Sequence, residues 1–221
     1  MKRLFESMTR LAAVLAAPGF LCATAALLRA QTLEITSPAD GTVVNPGQTF
    51  AVTVSASGAN FQMVVVIGQD PIGDSQWLTA PPYHFSIRIP SRISPRRYTL
   101  TADGATTPGQ GATSPPIWID VERPDAPVSV KVDPSLLIMR VGDPGYLFAN
   151  ATYADGTTED VSQSTLTRWS SDSPNVASVT DDGRVTATGS GSARITVENG
   201  GRRAVVTVTV TDRKPAGEPK R

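Results

Sequence analysis

From Thr32 onward, apolar and polar residues alternate in short runs. Phe50, Val52 and Val54 alternate with Thr49, Ala51 and Thr53, and Phe85, Ile87 and Ile89 repeat the pattern. Side chains on a strand point to opposite faces in turn, so each run predicts a half-buried strand. Phe61 to Ile67 is a more continuous apolar run, which predicts a central strand covered on both faces. Tyr98 stands near the start of a late strand in Pro95-Arg96-Arg97-Tyr98-Thr99-Leu100, the place of a tyrosine corner in a sandwich fold. Ile117, Ile119 and Val121 close this half, with Trp118 on the other face.

The second half is organised around Arg168 to Val197, RWSSDSPNVASVTDDGRVTATGSGSARITV. Asp181-Asp182-Gly183 and Gly189-Ser190-Gly191 separate three short β-branched strands, and glycine supplies the positive φ that such tight turns need. The three strands are expected in one sheet, with Val176, Val179, Val185, Ala187, Ile195 and Val197 near its buried face and Trp169 filling the space to a second layer. Tyr146 to Tyr153 reads as a further strand; Asn150-Ala151-Thr152 inside it has the form of a glycan acceptor and is assigned no role.

Strands at this spacing, in a chain of 221 residues with 18 Gly and 18 Pro, predict two antiparallel β-sandwiches of about 100 residues each. The divisions expected are 31–123 for the first sandwich, a Pro-rich linker at 124–127, 128–211 for the second sandwich, and a disordered tail at 212–221. Residues 1–30 begin with Lys2, Arg3 and Arg10 and continue through an apolar, Ala-rich stretch, the layout of a signal peptide. Cleavage after Ala30 or after Ala25 would begin the mature chain at Gln31 or Ala26. Retention of the segment as a membrane anchor is the rival reading. Leu21 before Cys22 argues against lipidation, which needs a small residue there.

Trp169, Ser170, Ser171, Val176, Ala177, Val179, Gly183, Val185, Ala187, Gly191, Ala193 and Ile195 form a pattern that resembles the bacterial immunoglobulin-like domain, group 2. Val132 to Pro134, Val141-Gly142 and the closing Val206, Val208 and Val210 agree, and the match spans residues 126–211; Asp143-Pro144-Gly145 departs from it by a local turn. The opening SPADGTVVNPGQTF and the Pro-x-x-Tyr-x-Leu-x-Ala element of residues 32–122 resemble bacterial Ig-like domains without a subfamily. The resemblance implies an all-β fold of two tandem immunoglobulin-like sandwiches, of the kind found in surface and adhesion proteins such as invasin and intimin.

Charge narrows the partners. Of 20 cationic and 20 anionic residues, the first 30 positions hold four and one, which leaves 16 and 19. A mature net charge near −3 argues against a nucleic-acid partner, and membrane contact is expected only if residues 1–30 are retained. The single Cys lies in that segment, so an exported chain has no disulfide and no thiolate ligand. His84 alone cannot build a transition-metal cluster, and it reads as an outward strand residue. Neither a catalytic constellation nor a cofactor is expected, and no His accompanies a Gly-flanked Ser, as a hydrolase would require.

Asp155-Gly156 and Asp181-Asp182-Gly183 read as turn formers, while Glu159-Asp160 and Asp120-x-Glu122-x-x-Asp125 offer oxygens to calcium as an alternative to solvation. The stretch Gly68 to Tyr83 (GQDPIGDSQWLTAPPY) is the longest irregular one. Two readings stay open for it. Trp77 folds back over the sandwich edge, or Trp77 and Tyr83 form a coplanar apolar platform for a sugar ring or a partner protein, with His84 beside them. The function expected is therefore a non-enzymatic, extracytoplasmic binding, adhesion or spacer module with a surface protein or polysaccharide as partner. The alternatives are a carbohydrate-binding module using Trp77 and Tyr83 or a subunit of a membrane-tethered assembly.

Overall fold

The computed structural model describes residues 31–212 apart from Ala59, Pro108 and Gly109. The expected signal peptide at 1–30 and residues 213–221 of the expected tail lie outside the described residues. Among the described residues the regular structure is all strand.

The first unit contains β1 (Thr32–Ser37), β2 (Thr42–Val44), β3 (Thr49–Ser57), β4 (Met63–Gly68) and β5 (Gly73–Asp74). It continues with β6 (Tyr83–Arg88), β7 (Arg96–Thr107), β8 (Gln110–Thr113) and β9 (Ile117–Val121). One sheet has the order β1-β3-β6; the facing sheet runs β2-β9-β7-β4-β5, with β8 also on β7. The alternation read from the sequence sets the layers: Val52, Val54, Phe85 and Ile87 of one sheet, with Ile89 just past β6, meet Val64, Val66, Tyr98, Leu100 and Ile119 of the other in a single core. Tyr98 is 1% exposed, and its hydroxyl donates to the Ser94 carbonyl at 2.9 Å, the expected corner.

Two expectations for this unit need correction. The run Phe61 to Ile67 is not covered on both faces. Phe61 is buried ahead of the strand, β4 begins at Met63, and within it only Val64, Val66 and Gly68, every second residue, are buried, because the sandwich has a core on one side of β4 alone. Nor is Gly68 to Tyr83 structureless: Ile67 pairs with Asp74, and Val64 and Leu78 exchange both backbone hydrogen bonds at 2.8 Å. The stretch thus runs back along β4 as an irregular edge.

The second unit contains β10 (Ser129–Asp133), β11 (Leu136–Arg140), β12 (Pro144–Tyr146), β13 (Phe148–Thr152) and β14 (Thr158–Asp160). There follow β15 (Arg168–Ser171), β16 (Ala177–Val179), β17 (Arg184–Ala187), β18 (Gly191–Asn199) and β19 (Arg202–Thr211). Sheet β11-β19-β18-β15 shares one core with two smaller sheets, β10-β13-β14 and β12-β17-β16. The expected strand from Tyr146 to Tyr153 is broken at Leu147. That residue is buried and donates its N–H to Gly183 O at 2.9 Å, so the chain leaves one small sheet and enters the other. The three strands expected in one sheet also divide: β16 and β17 form a hairpin, while β18 crosses to the opposite layer.

Trp169 occupies the place the sequence assigns it. Its indole N–H donates to Ser162 O at 3.2 Å and its ring lies against Gly183, whose φ is 82°. A Cβ on Gly183 would stand 2.4 Å from the Leu147 carbonyl oxygen and 3.1 Å from the Trp169 ring. The turn and the tryptophan are therefore one packing unit.

Candidate functional site

The three residues singled out in the sequence do not form one surface. Trp77 sits on the irregular edge next to β4 and is 67% exposed, so it does not fold back over the sandwich. Tyr83 opens β6 and is 5% exposed, with its hydroxyl directed at the Phe61 carbonyl at 3.3 Å. The expected coplanar pair does not exist. Position 83 faces the core, because the strand that follows buries Tyr83, Phe85 and Ile87 on one side. His84 points outward, as expected, with Nδ1 3.2 Å from Thr53 Oγ1.

Tyr83 and His84 border a shallow groove of about 440 Å³ whose lining includes Thr53, Asn60, Pro81 and Pro82; Trp77 is not part of it. The lining offers one imidazole and no carboxylate, so no acid and base converge there.

The acidic residues considered for calcium are directed to separate partners. Asp120 accepts from Arg97 at 2.8 and 3.2 Å, and that bond holds the Arg97 guanidinium above its usual pKa. Among the described residues no three His, Cys, Asp or Glu side chains converge as a metal site. Asp160 accepts from Ser162 N–H at 2.9 Å within the second unit. Glu122, Asp125 and Glu159, with Asp155, form a joint between the two units that sequence reasoning did not assemble.

Arg123, which follows β9 by two residues, is the centre of that joint. Its guanidinium donates to Asp125 at 3.0 and 3.2 Å, Asp155 at 3.0 Å, Thr157 Oγ1 at 3.1 Å and Glu159 at 3.0 Å, and it stacks 4.1 Å from the Tyr153 ring centroid. The Asp155 carboxyl is held down at about 2, chiefly by the Thr157 hydroxyl and N–H and then by Arg123. Asp125 is lowered by its bond to Arg123, and burial pushes Tyr153 up to about 12.

Glu122, 5% exposed, reaches the other way. It accepts from Ser164 Oγ at 3.0 and 2.8 Å, from Thr165 N–H at 2.8 Å and from Thr165 Oγ1 at 3.0 Å, while its own N–H donates to Val44 O at 3.0 Å. Arg202 caps the linker by donating to Pro127 O at 3.2 Å. The sequence signal was present but indirect: Asp155 reads as a turn former, and only the fold brings that turn beneath Arg123.

These features define an immunoglobulin-like β-sandwich protein with two clasped units. The family described as Bacterial Ig domain matches residues 32–102, and the Bacterial Ig-like domain (group 2) matches residues 129–210. The chain carries two bacterial Ig-like domains in tandem. No curated protein matches it.

Among solved structures, the fibronectin(III)-like modules of Clostridium thermocellum CbhA are 15% identical over 86% of this chain and 100% of theirs, with a TM-score of 0.36. The S-layer protein rSbsC is 15% identical, with 85% of this chain and 28% of that one covered and a TM-score of 0.37. The endo-beta-1,4-mannanase from Thermotoga petrophila is 16% identical over 45% of this chain and 21% of its own, with a TM-score of 0.34.

Proposed function

We propose that this chain is a non-enzymatic, extracytoplasmic module that holds binding surfaces at a fixed spacing from one another. The observation that carries the reading is the joint. A flexible tether has no use for a buried carboxylate with several donors, nor for a guanidinium shared among Asp125, Asp155 and Glu159, whereas a rigid spacer needs both. Membership among bacterial Ig-like domains, which are generally non-catalytic and typical of surface proteins, supports it. The mechanism is display: two cores keep loops, sheet faces and sheet edges in a set relation toward a surface protein or polysaccharide.

The test is to fractionate the producing cells and read the N-terminus of the chain by mass spectrometry. A chain in the envelope or medium that begins at Gln31 or Ala26 supports the reading. One that begins at Met1 in the inner membrane makes the sandwiches part of a tethered assembly, and one confined to the cytosol overturns export altogether.

A further inference from the structure

The larger sheet of the first unit turns its outer face to solvent, and strand register lays out a row across it. The antiparallel bridge between Val64 and Leu78 turns both residues inward, so Trp77, the residue before Leu78, turns to the outer side of that edge. Val65 pairs with Asp103, and Asp103 pairs with Thr113. The row therefore reads Val65, Asp103, Thr113, with neighbouring strands about 4.8 Å apart, and the irregular edge that carries Trp77 borders it on the Val65 side.

Its centre is unfinished. Asp103 is half-buried, its Oδ1 is closed off from water, and that oxygen has no hydrogen-bond partner among the described residues. Its charge is therefore compensated by no donor on the shielded side, and a cation that meets the outer oxygen offsets it. At one end of the same row an indole ring stands two-thirds exposed, and indole faces attract cations. Charge on this face points the same way. Asp103 and Asp74, the cross-strand neighbour of Ile67, have no ion-pair partner among the described residues, and Arg97, six residues before Asp103 on the same face of β7, is bound to Asp120. Arg96, one residue on, stacks over the Tyr98 ring instead.

We propose that this face docks a protein partner through an arginine or lysine side chain seated on Val65, between the Trp77 ring and the Asp103 carboxylate. The inference rests on reading the chain as a binding module, but binding by purified protein is independent of where the cell puts it. The aromatic ring, the apolar floor and the half-buried anion supply the features of an interface hot spot, and the anion selects against acidic partners.

The experiment is an NMR titration of the full chain in 150 mM salt with an arginine- and lysine-rich decapeptide, following the Trp77 indole N–H assigned by Trp77→Phe. A second peptide carries Gln at every cationic position. The expected result is a saturable shift with the cationic peptide alone, weakened at least tenfold by Asp103→Asn and by Trp77→Ala and little changed by Asp74→Asn.

Val65→Arg provides an independent check, since it supplies the cation from within: the Trp77 signal should move without peptide, and peptide binding should be lost. Equal binding of the Gln peptide, or full binding by Asp103→Asn or by Val65→Arg, overturns the proposal. So does a Trp77 shift produced by neutral oligosaccharides and not by the cationic peptide, which would make the row a sugar platform.

Discussion

Ser164 directs its hydroxyl at both carboxylate oxygens of Glu122, at 3.0 and 2.8 Å, across 42 residues of sequence. One belongs to the second unit and the other follows the last strand of the first, so this contact is a structural bond between domains. Replacing Glu122 with Ala leaves the Ser164 hydroxyl and both Thr165 donors without their acceptor. Buried donors left unpaired cost about 1–3 kcal/mol each when water cannot reach them. We expect Glu122→Ala to lower stability toward urea by about 2 kcal/mol and to broaden the interdomain distance distribution in small-angle scattering. Glu122→Gln keeps one acceptor and should fall between the two. An unchanged scattering profile in Glu122→Ala would show that the joint does not depend on this contact.

Arg123 makes a different prediction, because its bonds require a fork. Lysine is a point charge that cannot reach Asp125, Asp155 and Glu159 together while stacking flat on Tyr153. Arg123→Lys should therefore loosen the joint nearly as much as Arg123→Ala, by about 1–2 kcal/mol for a partly exposed network. Retention of the wild-type scattering profile in Arg123→Lys would mean that charge alone holds the linker.

The acid response of the joint follows from Asp155 and Asp125. Both carboxyls lie below the ordinary value of 3.8 in the folded protein, Asp155 at about 2. Folded protein thus binds fewer protons than unfolded chain in this range, so their contribution is complete above about pH 4 and is lost as pH falls toward 2. In Arg123→Ala the two should separate. Asp125, whose first support is Arg123, should return toward the ordinary value, whereas Asp155 should stay low because the Thr157 donors remain. Carboxyl carbon chemical shifts followed from pH 6 to pH 1.5 measure both.

How much of this the sequence announces depends on the range of the interaction. Period-two runs around Val52, Phe85 and Val206 name the core, and Asp182-Gly183 names its turn, because those signals are local. Sheet membership is not local. Whether β18 pairs with β17 or crosses to β19 is decided by which apolar face finds cover, so the three strands after Trp169 look like one sheet until the layers are assembled. The burial of Tyr83 and the exposure of Trp77 are likewise set by pairing, since the register of β6 on β3 turns Tyr83 inward and the bridge between Val64 and Leu78 sets the facing of the edge that carries Trp77. Asp103 is an ordinary acid in an alternating strand, and its orphaned oxygen emerges only from the neighbours that shield it. Glu122 and Arg123 look like linker charges because their side-chain partners in the second unit lie 32 to 43 residues downstream.

Gly183 allows a sharp test of the turn and tryptophan as one unit. Its positive φ already disfavours a side chain, and an added methyl would press on the Leu147 carbonyl at 2.4 Å and on the Trp169 ring. Gly183→Ala should cost about 2–4 kcal/mol, well above the backbone strain of an alanine in that region alone. Gly142 has a φ of 88° with open space around it, so Gly142→Ala carries the strain without the clash and serves as the control. Equal losses at the two positions would mean that strain accounts for everything and that the contact with Trp169 adds nothing.

Tyr98 separates a hydrogen bond from the ring that carries it. The side chain is 1% exposed and packed within the first core, and its hydroxyl reaches back to the Ser94 carbonyl over four residues. Tyr98→Phe keeps the ring and deletes that single bond, so the loss should be about 0.5–1.5 kcal/mol. Tyr98→Ala also empties the core and should cost about 3–5 kcal/mol. Burial holds the phenol above its ordinary pKa of 10.0, so it stays a donor throughout the neutral range. The difference between Tyr98→Phe and wild type in urea melts should therefore be flat from pH 6 to pH 9. If that difference vanishes, the Ser94 carbonyl is as well served by water as by the hydroxyl, and the first sandwich is held by packing alone at this corner.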